Sequence, residues 1–230
     1  TGFMQRAPWH GQWISDANVT RRSLPVEGWS IDKPEASDAI TISTVTTTIA
    51  GQKLPALEIR YRPTKVASAV WLPVTADVQK ENVLTFQARV QAPADSRQLG
   101  TVEAPLTGWY SYQFNQYLDN FGVGFDDPNG YAWNASGVPT THFLQHVDMQ
   151  QQPVDGFRRF QWDILHENRT GNKGFDAANV ARMVIYYDAR QLKEGQETVI
   201  TIVSPELVAG MKRTGGDEER YAQFLRDRQQ

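Results

Sequence analysis

Nine aromatic side chains crowd one stretch of this 230-residue chain, between Gly108 and Asn134. They are Trp109, Tyr110, Tyr112, Phe114, Tyr117, Phe121, Phe125, Tyr131 and Trp133. Gly122, Gly124, Gly130 and the polar turn Asp126-Asp127-Pro128-Asn129 punctuate them. Tyr and Trp join a flat apolar face to a polar handle. Such rings, set among glycines, can stack on the CH face of a pyranose ring while nearby polar groups bind its hydroxyls. Trp109, Tyr112, Tyr131 and Trp133 are the candidates for that platform, with packing in a core as the alternative use. Phe114, Phe121 and Phe125 have no polar handle and are assigned to the core.

Other groups supply the polar half of such a site. Arg158 and Arg159 stand with Gln161 and Asp163 in FRRFQWDIL, and Gln87 and Arg89 in NVLTFQARV. On an unfilled sheet face they would bind hydroxyls; on an outer face they would only be solvated. Asp126, Asp127 and Asn129 are hard oxygen donors of the kind calcium takes. The same residues also build an ordinary Asx-turn with Pro128 and Gly130. His142 and His146 are four apart, but THFLQHVD has no HExxH glutamate, and the set of further ligands a zinc site needs is not indicated.

Signatures of catalysis are sparse. No strand offers the closely spaced acids that a glycosidase holds ~5–9 Å apart. There is no Gly-x-Ser-x-Gly elbow and no P-loop. Tyr112, His146 and Arg158 are of the types that lyases use, without a lyase motif around them.

Composition narrows the partners. The formal net charge is -3, with 21% charged and 40% hydrophobic residues. With no long basic run, neither nucleic acid nor a membrane is the expected partner. No apolar run approaches the ~18 residues of a membrane helix. The chain has no cysteine, which excludes disulfides and thiolate metal sites.

The elements that must position these groups are strands. Ile40 to Ile49 is rich in β-branched residues, and Gly51-Gln52 turns the chain. Leu57, Ile59 and Tyr61 alternate with Glu58, Arg60 and Arg62, as Leu84, Phe86, Ala88 and Val90 do with polar neighbours. Further strands are predicted over 66–74, 141–147, 157–165, 180–187 and 197–203. Asp217 is placed to cap a short helix over 218–228. About ten short strands with almost no helix predict an all-β, antiparallel β-sandwich of jelly-roll type. The expected organisation is an irregular lead (1–39) that packs Trp9, Trp13 and Trp29 on the body, a sandwich (40–210), and a C-terminal helix or linker (211–230).

A specific pattern follows the aromatic stretch. FQWDI leads through a loop into FDAANVARMVIYYDAR and a last β-branched strand. With NVLTFQARVQAP, this resembles the galactose-binding-like jelly roll of carbohydrate-binding modules in polysaccharide-degrading enzymes. The resemblance implies non-catalytic binding of a polysaccharide or oligosaccharide, as an accessory domain of a secreted or periplasmic, bacterial enzyme. It implies a catalytic domain of the same polypeptide as partner, and a structural calcium ion in some members. Two alternatives stay open: a polysaccharide lyase or glycoside hydrolase with its own site on the sheet, and a structural spacer packed on a catalytic neighbour.

Overall fold

A computed structural model describes residues 13–66, 68–93, 121–134, 154–165, 170–171, 174–187 and 189–213. In chain order the strands are β1 (Trp13–Ser23), β2 (Ser30–Ile31), β3 (Ile40–Ile49), β4 (Gln52–Tyr61), β5 (Ser68–Ala76) and β6 (Val83–Gln91). They continue as β7 (Phe121–Asp126), β8 (Ala132–Asn134), β9 (Arg158–Asp163), β10 (Thr170–Gly171), β11 (Val180–Tyr187) and β12 (Thr198–Arg213). One sheet has the order β3-β4-β12-β6-β9, with β1 also on β12; the other has the order β10-β8-β7-β11-β5-β2. The ladders are antiparallel. From β4 onward the chain crosses between sheets at most connections. This is the wiring of a jelly-roll sandwich, the fold class that the strand pattern predicts.

Period-two alternation builds the core. Leu57, Ile59 and Tyr61 of β4, Ile200 and Ile202 of β12, and Leu84, Phe86 and Ala88 of β6 face inward from the first sheet. Val70, Leu72 and Val74 of β5, Val123 and Phe125 of β7, and Met183, Ile185 and Tyr187 of β11 join them from the second. Trp162 of β9 is fully buried and stacks on Phe125, with centroids 5.9 Å apart and planes at 12°. Each such side chain removed from water contributes ~1.5–3 kcal/mol. Phe125 thus does the packing expected of it. Trp29 is buried as well, its Nε1 donating to the Pro25 carbonyl at 3.2 Å.

Ala50 and Gly51 connect β3 to β4 with φ of 49° and 80°, and Ile49 pairs with Gln52 across the turn. Two consecutive positive φ values make the tight turn whose twist matches a hairpin.

The strands β2, β7, β8 and β10 are not singled out by the sequence pattern, and β1 and β12 depart from it outright. Part of the predicted irregular lead, Trp13–Ser23, is a strand on β12. Its residues do not alternate; the exposed edge of β12 supplies the ladder. The last strand does not stop at Val203 but runs sixteen residues to Arg213. Ser204-Pro205 looks like a terminator, yet it forms a bulge: Val203 pairs with Gln87 and Glu206 with Thr85, one residue too many on β12. Ser204 takes φ 50°, and the Pro205 carbonyl accepts the Leu24 N–H at 2.8 Å. β12 therefore pairs with β4 before the bulge and with β1 after it, and with β6 on both sides of it. The strand predicted over 141–147 and the helix over 218–228 lie outside the described residues.

Candidate functional site

Residues of the first sheet that alternate with its core positions form its outer face. Strand register sets them in rows. Val45, Ala56, Val203, Gln87 and Arg159 make one row, and Ser43, Glu58, Thr201 and Arg89 the next. The first row changes character midway. Its apolar half, with Ile49 and Leu54, is covered by Phe157; its polar half stays open. Beyond the bulge, Glu206, Thr85 and Gln161 continue the face.

A short turn brings Phe157 there. Val154 and Phe157 bond to each other through both backbone groups, at 3.0 and 2.8 Å. Asp155 and Gly156 between them have φ of 50° and 81°. The Asp155 carboxylate accepts the Ala50 N–H at 2.8 Å, tying this turn to the β3–β4 hairpin. Beneath it the Arg89 guanidinium lies 4.6 Å from the centre of the Phe157 ring. A Cβ on Gly156 would come within 3.0 Å of the Arg89 side chain, so both the backbone and the space call for glycine.

The open part is a groove of about 250 Å³ between this turn, the bulge and strands β6 and β9. Thr85, Gln87, Arg159, Ser204 and Glu206 line it, with Phe157 and the half-exposed Val154 as its apolar side. Pockets for whole small molecules run ~300–1,000 Å³, so this space suits one unit of a longer chain. Glu206 is held by Arg21, Nη1 to Oε2 at 2.9 Å.

The sequence candidates therefore divide. Gln87, Arg89, Arg159 and Gln161 occupy one face of one sheet. Arg158, next in sequence to Arg159, stands in register with the buried Ala88 on the opposite face. Tyr131 and Trp133 belong to the other sheet's β7–β8 hairpin and do not share this face. Tyr131 is 44% exposed and lies against Gly174, where an added Cβ would meet its ring at 2.8 Å. Trp133 pairs in register with Phe125. Trp109, Tyr112, His142 and His146 lie outside the described residues. Phe157, Ser204 and Glu206 were not sequence candidates; Asp155-Gly156 before one strand and Ser204-Pro205 within another are the signals that mark them.

Asp127 is a structural knot. Its Oδ1 accepts the N–H groups of Asn129 and Tyr131 at 2.8 and 2.9 Å, and its Oδ2 that of Asp176 at 3.0 Å. Burial would raise its pKa, but the backbone donors outweigh this and hold the carboxyl below the usual range. Asp126 instead accepts from Arg182, Nε to Oδ2 at 2.7 Å, and that guanidinium lies 5.6 Å from the centre of the Trp71 ring. These donors do not fit a calcium cage: N–H dipoles converge where the cation would sit, and Asn129 contributes its backbone N–H. Among the described residues no group of three or more His, Asp or Glu could hold a metal ion.

No protein-family model matches the sequence, and comparison with curated proteins finds no match. Several solved structures are similar at low identity. A family 11 carbohydrate-binding module of a cellulosomal cellulase of Clostridium thermocellum is 10% identical, with a TM-score of 0.38, over 86% of this chain and 94% of that one. An exo-β-agarase is 13% identical, with a TM-score of 0.36, over 87% of this chain and 24% of that one. The carbohydrate-binding module CBM28, specific for non-crystalline cellulose, is 14% identical, with a TM-score of 0.34, over 82% and 87%. At these values the function has to be read from the chain's own residues.

Proposed function

We propose that this chain is a non-catalytic carbohydrate-binding domain, an accessory to a secreted polysaccharide-degrading enzyme. The supporting observation is the groove on the outer sheet face, where Gln87, Thr85 and Arg159 surround an apolar side made chiefly by the half-exposed Val154 over the buried Phe157. Hydrogen-bond donors and acceptors set beside a small apolar surface match a sugar unit, which has hydroxyl edges and CH faces. Binding is favoured over hydrolysis by the acids. Glu206 is the carboxylate among the described lining residues, and Arg21 holds it, whereas glycosidic cleavage uses two. The half-exposed Tyr131 is a separate ring surface for the same chemistry.

A shallow site facing water should bind with Kd on the order of 10⁻³–10⁻⁵ M. Affinity electrophoresis through gels containing soluble polysaccharides tests the reading. The expected result is retardation in at least one gel, without release of reducing or unsaturated ends. Gln87→Ala should reduce the retardation while the far-ultraviolet spectrum is unchanged. Retardation unaffected by Gln87→Ala would move the site off this face.

A further inference from the structure

We propose that the groove selects saccharides carrying carboxylate or sulfate groups, with Arg159 as the anion-recognising side chain; this rests on the carbohydrate-binding reading above. Arg159 is exposed on the groove wall, beside Gln87 in the cross-strand register. Other arginines of the described residues show what this chain does with guanidinium groups. Arg21 pairs with Glu206, Arg22 with Glu81, Arg60 with Glu58 and Glu197, Arg62 with Glu197, and Arg182 with Asp126. The Arg159 side chain makes no ion pair or hydrogen bond among the described residues. A chain with formal net charge -3 has acids to spare, yet none of the described ones forms an ion pair with this side chain.

The surroundings reinforce the sign. Glu206, the acid in the groove, already faces Arg21. Arg89, under the neighbouring turn, is a second fixed cation. Its Nε is buried with no hydrogen-bond partner among the described residues, and its Nη1 reaches only the Asp155 carbonyl, at 3.4 Å. A neutral sugar would give Arg159 hydroxyl contacts, but only an anionic group matches both its charge and its planar fork of donors. Gln87 and Thr85 would then bind the hydroxyls of the same unit.

Affinity electrophoresis of the whole chain through four gels tests this. The gels contain polygalacturonate (carboxylate), a carrageenan (sulfate), agarose and a soluble β-glucan (both neutral). The expected result is stronger retardation by one or both anionic gels, weakened by added salt. Arg159→Gln should weaken that retardation about tenfold, as loss of a charge-assisted hydrogen bond does. Arg159→Lys should restore part of it. The two anionic arms identify which acid group is read. Retardation only by neutral gels, or anionic retardation that Arg159→Gln leaves unchanged, overturns the anion selection and leaves carbohydrate binding standing. No retardation in any gel overturns both. Melting curves of the variants confirm that the fold survives each change.

Discussion

The Arg89 guanidinium lies over the Phe157 ring, 4.6 Å from its centre, on the outer face of the sheet. An arginine of β6 and a phenylalanine just before β9 thus clamp a turn onto a surface that would otherwise leave Ile49, Ala56 and Val203 in water. Aliphatic side chains on that side of the sheet are legitimate core, covered by one ring.

That arrangement predicts an asymmetry. Phe157→Ala should cost about 3 kcal/mol, since the ring is almost fully buried and caps a cluster that cannot collapse around the gap. Arg89→Met should cost less than about 1 kcal/mol, because the cation–ring attraction it loses is partly offset by removing a buried, unpaired Nε. Urea unfolding of the two variants separates them. Equal losses would mean that the cation, not the ring, holds the turn.

Asp127 makes stability depend on acid. Its folded pKa lies below the unfolded value of about 3.9, so its contribution is fully present above that value. It disappears as pH falls through the lower folded value. Asp127→Asn should therefore melt at a lower temperature than the natural chain near pH 6, with the gap narrowing toward pH 2.5. A gap that stays constant with pH would show that the carboxyl's charge is not what the Asn129, Tyr131 and Asp176 amides hold.

The β3–β4 hairpin carries alanine where left-handed backbone is required. Ala50→Asn should raise stability by about 0.5–1 kcal/mol, since asparagine tolerates that conformation better. Gly51→Ala should lower it by about 1 kcal/mol, although nothing lies within 4 Å of the added Cβ. Thermal melts of both variants check the pair. A neutral Gly51→Ala would mean that the turn relaxes without cost.

Much of the fold was legible because β4, β6, β9 and β11 bury one face, and period two then appears directly in Leu84, Phe86 and Ala88 or in Phe160 and Trp162. β1 was not, because WISDANVTRRS carries no such alternation; the strand exists because β12 presents a ladder to it. The continuation of β12 was hidden by Pro205, which cannot donate and is accommodated at a bulge. Gln87, Arg89, Arg159 and Gln161 could be picked out strand by strand. Their joining could not, because the pairing of Gln87 with Arg159 is a long-range choice of neighbour that local pattern does not encode. Within the aromatic stretch, Phe125 is stacked in the core, as its lack of a polar handle predicts, and Tyr131 is half in water.

Synthesis on the ribosome meets a delay at β12. It follows every other described strand in the chain, yet its place is between β4 and β6. Until residues 198–213 have emerged, those two strands face a gap with unpaired amides on both sides. Edges of that kind recruit strands from other chains. The nascent protein must therefore be kept apart from its copies until β12 slots in, and expression at low temperature or with abundant holding chaperones should raise the soluble yield.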